Sequence, residues 1–162
     1  MGSVTKVPVG GGLVVAARTL PDVTTPRLRV DGACLTLGRS EVVRRCHTLL
    51  TGGTADQDFL ITLGGPAAIR YLDDGQPDHQ AYWLRVWGAR GLLWAGPGDD
   101  TVALRDALQD DHWRVREMAC KVVARHRVGD LLEFVADLET DPVKRVRTAA
   151  SRAAVNIVES GT

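Results

Sequence analysis

Trp113-Arg-Val-Arg-Glu-Met-Ala-Cys-Lys-Val-Val-Ala124 and Lys144-Arg-Val-Arg-Thr-Ala-Ala-Ser-Arg-Ala-Ala-Val155 align without a gap, 31 positions apart. Tyr82-Trp-Leu-Arg-Val-Trp-Gly-Ala-Arg-Gly-Leu-Leu93 falls into the same register one period earlier. An apolar–Arg pair recurs as Leu84-Arg85, Val115-Arg116 and Val146-Arg147. A small residue follows four positions after each apolar one (Gly88, Ala119, Ala150), and the position after that is small again (Ala89, Cys120, Ser151). A further apolar position gives Leu92, Val123 and Ala154. Spacing of three and four residues between apolar positions is the period of a helix face. Self-similarity at this longer period marks stacked repeats.

Between these segments lie two more stretches with helical pattern, over 101–109 and 131–139. Val102, Leu104 and Leu108 of the first match Leu132, Phe134 and Leu138 of the second. Each repeat is therefore expected to be a pair of antiparallel helices, with its apolar faces buried by its neighbours. Acidic residues stand at the helix starts: Asp99 or Asp100, Asp110 or Asp111, Asp130, and Asp141 followed by Pro142. A short carboxylate side chain accepts from the free N–H groups of a first turn, and proline at N1 gives up no hydrogen bond.

Working outward, Ser40 with Glu41, Val42 and Val43 reads as a cap and first turn, and Gly52-Gly53 stops that helix. Asp58 to Leu63 reads as a second helix. Gly64-Gly65-Pro66 breaks the chain and restarts it with Ala67, Ala68, Ile69 and Leu72 as an apolar face. Residues 39–80 are expected to cap the N-terminal edge of the repeats, which occupy 81–162. Residues 1–38 differ in composition and form a leader. Leu28-Arg-Val30, Asp31-Gly32 and Ala33-Cys-Leu-Thr-Leu37 read as strand, tight turn, strand, because Asp-Gly suits a type I′ turn; the alternative is an irregular leader. The fold class expected from these patterns is all-α, apart from that leader.

Asp110-Asp-His-Trp-Arg-Val-Arg-Glu-Met-Ala119 and Asp141-Pro-Val-Lys-Arg-Val-Arg-Thr-Ala-Ala150 resemble HEAT-like repeats of the phycobilisome-lyase type, marked by an inter-helix Asp followed by Val-Arg and small residues. The resemblance covers about residues 80 to 158. It implies a short right-handed α-α superhelix, a HEAT-like solenoid. It also implies that Arg85, Arg116 and Arg147 pair with loop aspartates, Asp110 and Asp141, in a structural ladder between repeats. The first copy departs from the pattern: His79 stands where the Asp belongs, and Gly88 and Gly91 replace larger core residues, which points to a place of close packing.

If Val115, Ala119, Val122 and Val123 face inward, the opposite side of that helix carries Arg114, Glu117, Lys121 and Arg125. Shifting by the period adds Trp83, Arg90 and Trp94 on one side, and Arg145, Thr148 and Arg152 on the other. In proteins of the resembled type these helices line the concave surface, so a basic groove flanked by tryptophans is expected. Such a stripe can bind an acidic or amphipathic segment of another protein, or nucleic acid through arginine, lysine and aromatic contacts. It can also be a solvated face whose long basic stems cover apolar surface. The resembled family includes lyases and DNA-repair enzymes, and only fold-level analogy extends such activity to this chain.

Lys+Arg and Asp+Glu both number 20, so no global field draws the chain to nucleic acid or membrane. Cys34, Cys46 and Cys120 fit no zinc spacing, and His47, His79, His112 and His126 fit no metal spacing, so no metal and no cofactor is expected. No motif for a catalytic nucleophile or phosphate loop occurs. The apolar run over 9–17 is interrupted by three glycines and reads poorly as a signal peptide, giving the expectation of a cytoplasmic, non-membrane protein. A non-enzymatic interaction or scaffold module is the function expected, with monomer and homodimer both open.

Overall fold

In the computed structural model, which describes residues 24–161, all regular structure among the described residues is helical. Helix α1 runs Pro26–Leu37, where a hairpin was one of the two sequence expectations. Thr25 accepts from the Leu28 N–H and Pro26 occupies the first turn, so the start is capped as a helix. Val30 is fully buried, whereas Gly32 would meet nothing within 4 Å if it carried a Cβ. Burial of one face has thus outweighed the Asp31-Gly32 turn signal. The expected 1–38 leader is therefore helical from Pro26 onward; the irregular-leader alternative over 1–23, and the run over 9–17, lie outside the described residues.

Gly38, at φ 87°, turns the chain directly into α2 (Arg39–Leu50) and takes the cap position expected for Ser40. Asp56 caps α3 (Gln57–Gly64) through the Phe59 N–H, and Gly65, at φ 60°, joins it to α4 (Pro66–Asp73). A single 3-10 turn precedes α5 (Tyr82–Ala95). Then follow α6 (Val102–Leu108), α7 (Trp113–His126), the short α8 (Leu132–Asp137) between two 3-10 turns, and α9 (Lys144–Ser160).

Helices α5, α7 and α9 lie side by side, with α7 packed on α5 along one flank and on α9 along the other. A second row is formed by α2, α6 and α8, which pack on α5, α7 and α9 respectively and touch one another in that order. The partner of α5 is thus α2, and α3 and α4 are inserted between them in sequence. Helices α1 and α3 cover α5 on its outer side. Trp87, Leu49, Leu63, Leu92, Leu104 and Leu108 form the centre of the core between the rows. Val102, matched with Leu132 in the sequence pattern, is instead half exposed at the start of α6. No helix of the described residues is long and apolar enough to cross a membrane.

Candidate functional site

Each of α5, α7 and α9 begins beside an arginine–aspartate network. Arg85 gives Nε and Nη2 to the two carboxylate oxygens of Asp110, at 2.6 and 3.1 Å. Arg116 does the same to Asp141, at 2.8 and 3.2 Å, and its Nη1 also donates to the carbonyls of Asp110 and Asp111. Arg147 donates Nη1 to the carbonyls of Asp141 and Pro142. The five residues form one continuous ladder. The aspartates do not cap the helices directly: Asp110 accepts from the His112 N–H and Asp141 from the Val143 N–H, so each closes the turn before its helix. Asp100 likewise accepts from the Val102 N–H, while Asp130 lies inside a 3-10 turn.

Beside this ladder, α7 and α9 enclose a groove of about 820 Å³. Buried Ala124 of α7 and Ala149 of α9 line it. Its walls carry Lys121, Arg125 and Arg127 from the α7 side and Lys144, Arg145 and Arg152 from α9. Asn156 ties the two helices together by donating to the carbonyl of Ala124. The only carboxylate in the lining among the described residues is Glu117, which is 8 % exposed and pairs with Lys121 at 3.0 Å and Arg145 at 3.1 Å. Arg125, Arg127, Lys144 and Arg152 meet no carboxylate among the described residues. The groove is therefore neutralised near Glu117 and strongly cationic toward Arg125, Arg127 and Arg152.

Of the stripe read from the sequence, Glu117, Lys121, Arg125, Arg145 and Arg152 come together in this groove, with Thr148 between them. Trp83, Arg90, Trp94 and Arg114 do not line it. Arg90 is held down by the carbonyl of Leu63, and burial, helped by the like charge of Arg29, lowers its guanidinium from the usual value. Trp83 stacks on Trp87 and lies under Arg114, which also covers Trp113 at 4.5 Å. Trp94 sits between Arg27 and Arg125, and its buried indole N–H has no acceptor among the described residues. These rings are packing and guanidinium supports, not free faces. Trp113 also supports Arg145, whose guanidinium lies over its ring while bonding Glu117. Arg127 and Lys144 were not in the stripe. Arg127 follows the last helical turn of α7 in the left-handed conformation, where helical periodicity no longer gives its direction.

His112 caps α7: its Nδ1 accepts from the Arg114 N–H, and its ring stacks on Tyr82 at 3.5 Å. That bond requires a neutral ring. Burial first, then the charges of Arg114, Arg85 and Arg116 against the opposing Asp110, lower its pKa from the ordinary value. The unfolded chain therefore takes up this proton first as pH falls. The stabilisation from neutral His112 is full above about 6.5, the unfolded value, and is lost as pH falls through the lower folded value. A His112→Asn variant keeps a capping acceptor but does not titrate there. Urea midpoints measured across this range are expected to fall more steeply for the parent chain than for the variant.

Cys46 and Cys120 are buried, and burial pushes each thiol up to about 12, so neither supplies a thiolate near neutral pH. No cluster of metal-ligating side chains occurs among the described residues. No family model, curated protein or solved structure significantly matches this chain.

Proposed function

We propose that the chain is a short HEAT-like α-solenoid, right-handed in its superhelix, that works as an interaction module and holds an acidic segment of another protein in the groove between α7 and α9. Support for the repeat assignment comes from the two rows of helices and from the arginine–aspartate ladder that runs between successive turns. The observation that carries the function is the charge of the groove: six cationic side chains line it, and four of them meet no carboxylate among the described residues. Cations left unpaired on adjacent helices repel one another, and an acidic ligand relieves that repulsion as it binds. Glu117 and Trp113 hold Arg145 in one orientation, which reduces the ordering cost when it meets a carboxylate.

Nucleic acid would meet the same charges. The aromatic support that such binding uses is weak here, because the faces of Trp83, Trp94 and Trp113 already carry arginines. No observation favours a lyase-like reaction over binding.

Arg125→Glu with Arg152→Glu is the test. Both side chains are exposed, so stability is expected to change by less than about 1 kcal/mol. Binding of a fluorescent poly-glutamate peptide, followed by anisotropy, is expected to weaken by about 100-fold, given roughly 1.4 kcal/mol for each tenfold. An unlabelled single-stranded oligonucleotide is added as competitor. Equal peptide binding by parent and variant would overturn the groove assignment, and preference for the oligonucleotide would transfer the groove to nucleic acid.

A further inference from the structure

We propose that the end of the groove lined by Arg125, Arg127 and Arg152 takes a phosphorylated serine or threonine of the acidic segment, its phosphate held by the three guanidinium groups. This rests on the groove being the binding surface, and adds which group of the partner it selects.

The groove has two unlike ends because α7 and α9 run in the same direction. Arg145, near the start of α9, bonds Glu117, near the start of α7. Asn156, near the end of α9, donates to the carbonyl of Ala124, near the end of α7. The first end thus lies at Glu117 and the far end at Ala124 and Asn156. Lys121 and Arg145 both pair with Glu117, and Lys144 adjoins Arg145 in the first turn of α9, so the carboxylate and both lysines belong to the first end. Arg125 and Arg127 come just after Ala124, and Arg152 lies one turn before Asn156 on the same face of α9. The cations of the far end are arginines alone. All three are exposed, and none meets a carboxylate among the described residues.

This composition fits a phosphate better than a carboxylate. Three guanidinium charges exceed what one carboxylate neutralises, whereas a phosphate monoester carries about −1.5 to −2 charges at neutral pH and three acceptor oxygens. A guanidinium meets such oxygens through paired N–H groups, which an ammonium does not offer. Arg125 is already braced, with its guanidinium carbon 4.6 Å from the centre of the Trp94 ring, so less ordering remains for the ligand to impose.

Arg127 is an independent sign of a ligand site. It follows α7 at φ 51° and ψ 50°, the left-handed conformation in which glycine is the usual occupant. Glycine would close the helix there without strain. An exposed arginine stands there instead, in the wall of the groove, and strained backbone collects where a side chain must meet a ligand. The α7 carbonyls that would repel an anion at this end are engaged: Val123 accepts from the Arg127 and Val128 N–H groups, and Ala124 from Asn156.

Lys144 to Asn156 rises about 18 Å along α9, the span of about five or six extended residues. Three labelled, glutamate-rich peptides of about that length test the proposal by fluorescence anisotropy with the full chain. They differ at one place, which carries phosphoserine, serine, or two glutamates that match the phosphate charge. The phosphoserine peptide is expected to bind about 100-fold tighter than the serine peptide and about tenfold tighter than the equal-charge peptide. Arg127→Gly keeps the left-handed turn and should remove that tenfold preference, with the equal-charge peptide still bound within about fivefold of the parent. Urea unfolding checks that this variant folds, and Arg152→Gln serves if it does not. Lys144→Ala, at the first end, should weaken all three peptides alike. Equal binding of the phosphoserine and equal-charge peptides by the parent overturns the proposal and leaves the groove reading standing. A preference that Arg127→Gly retains overturns it too, since the phosphate then lies elsewhere. Binding of none of the three overturns the groove reading and the proposal with it. Free phosphoserine that displaces the labelled peptide as well as the unlabelled phosphopeptide does would also overturn it, because the site would then take a small phosphate ester and not a segment.

Discussion

Replacing Asp141 with alanine is expected to cost about 3 kcal/mol of folding stability, the low end of the range of roughly 3–5 kcal/mol for removing one partner of a buried ion pair. The carboxylate is 6 % exposed, accepts two hydrogen bonds from Arg116 and a third from the Val143 N–H. Its removal strands a half-buried guanidinium and opens the turn that starts α9. The loss stays at the low end because Arg116 keeps the carbonyls of Asp110 and Asp111. Asp110→Ala should cost less, since Arg85 and Asp110 are more exposed than Arg116 and Asp141. The pH dependence has a definite sign. Burial alone would raise the Asp141 pKa, but the Arg116 hydrogen bonds, the Val143 N–H and the charges of Arg116 and Arg147 together hold it below the ordinary value. Its stabilisation is therefore full above about 3.9, the unfolded value, and is lost as pH falls through the lower folded one. Asp141→Asn should remove that acid-sensitive part while keeping an acceptor for Val143. Urea unfolding at neutral and acid pH measures both effects. A loss under 1 kcal/mol for Asp141→Ala would mean that the ladder accompanies the stacking of α7 on α9 without stabilising it.

The ladder and the groove differ in how far the sequence could reveal them. Arg85, Arg116 and Arg147 recur with a fixed period, and their partners sit in the turn just before the next helix of the row, so local pattern was enough to bring them to attention. The groove was half legible for the same reason: Lys121, Arg125, Arg145 and Arg152 follow helical spacing on two helices of known register. Trp83, Arg90, Trp94 and Arg114 share that spacing, yet they meet neighbours supplied by other parts of the chain. Arg27 of α1 covers Trp94, and Leu63 of α3 holds Arg90. Such contacts have no period. The pairing of α2 with α5 was illegible for a related reason, since α3 and α4 separate the two helices and nothing in either sequence names the other. Helix α1 was misread because Asp31-Gly32 is a strong local turn signal, and the burial of Val30 that overrides it is a tertiary fact.

The glycines of α5 carry the second large effect. Gly88 and Gly91 occupy the places of Ala119 and Val122 one repeat later, and both face α2. A Cβ on Gly88 would lie 2.8 Å from the carbonyl oxygen of Cys46 and 3.0 Å from the Cβ of Leu49. These atoms belong to the backbone and root of α2, so relief requires the whole helix to move. A Cβ on Gly91 would instead meet the Cys46 sulfur and lie 2.9 Å from a terminal methyl of Leu63, both ends of side chains. Gly88→Ala is therefore expected to cost about 3 kcal/mol and Gly91→Ala about 1–2 kcal/mol, within the range for overpacking a dense core. Helix propensity works against both figures, because alanine is favoured over glycine by about 1 kcal/mol in a helix interior; a smaller net loss at Gly91 is the consequence. Removing the sulfur separates the two cases. Cys46→Ala vacates the space that the Gly91→Ala methyl needs, so the double variant should be more stable than the sum of its single changes predicts. The same Cys46→Ala should do nothing for Gly88→Ala, whose obstacle is the peptide oxygen. A double-mutant cycle on urea midpoints gives both couplings. Equal rescue of the two glycine variants would mean that α2 shifts on α5 as a body in either case, and that the close approach at Gly88 is not a fixed contact of the fold.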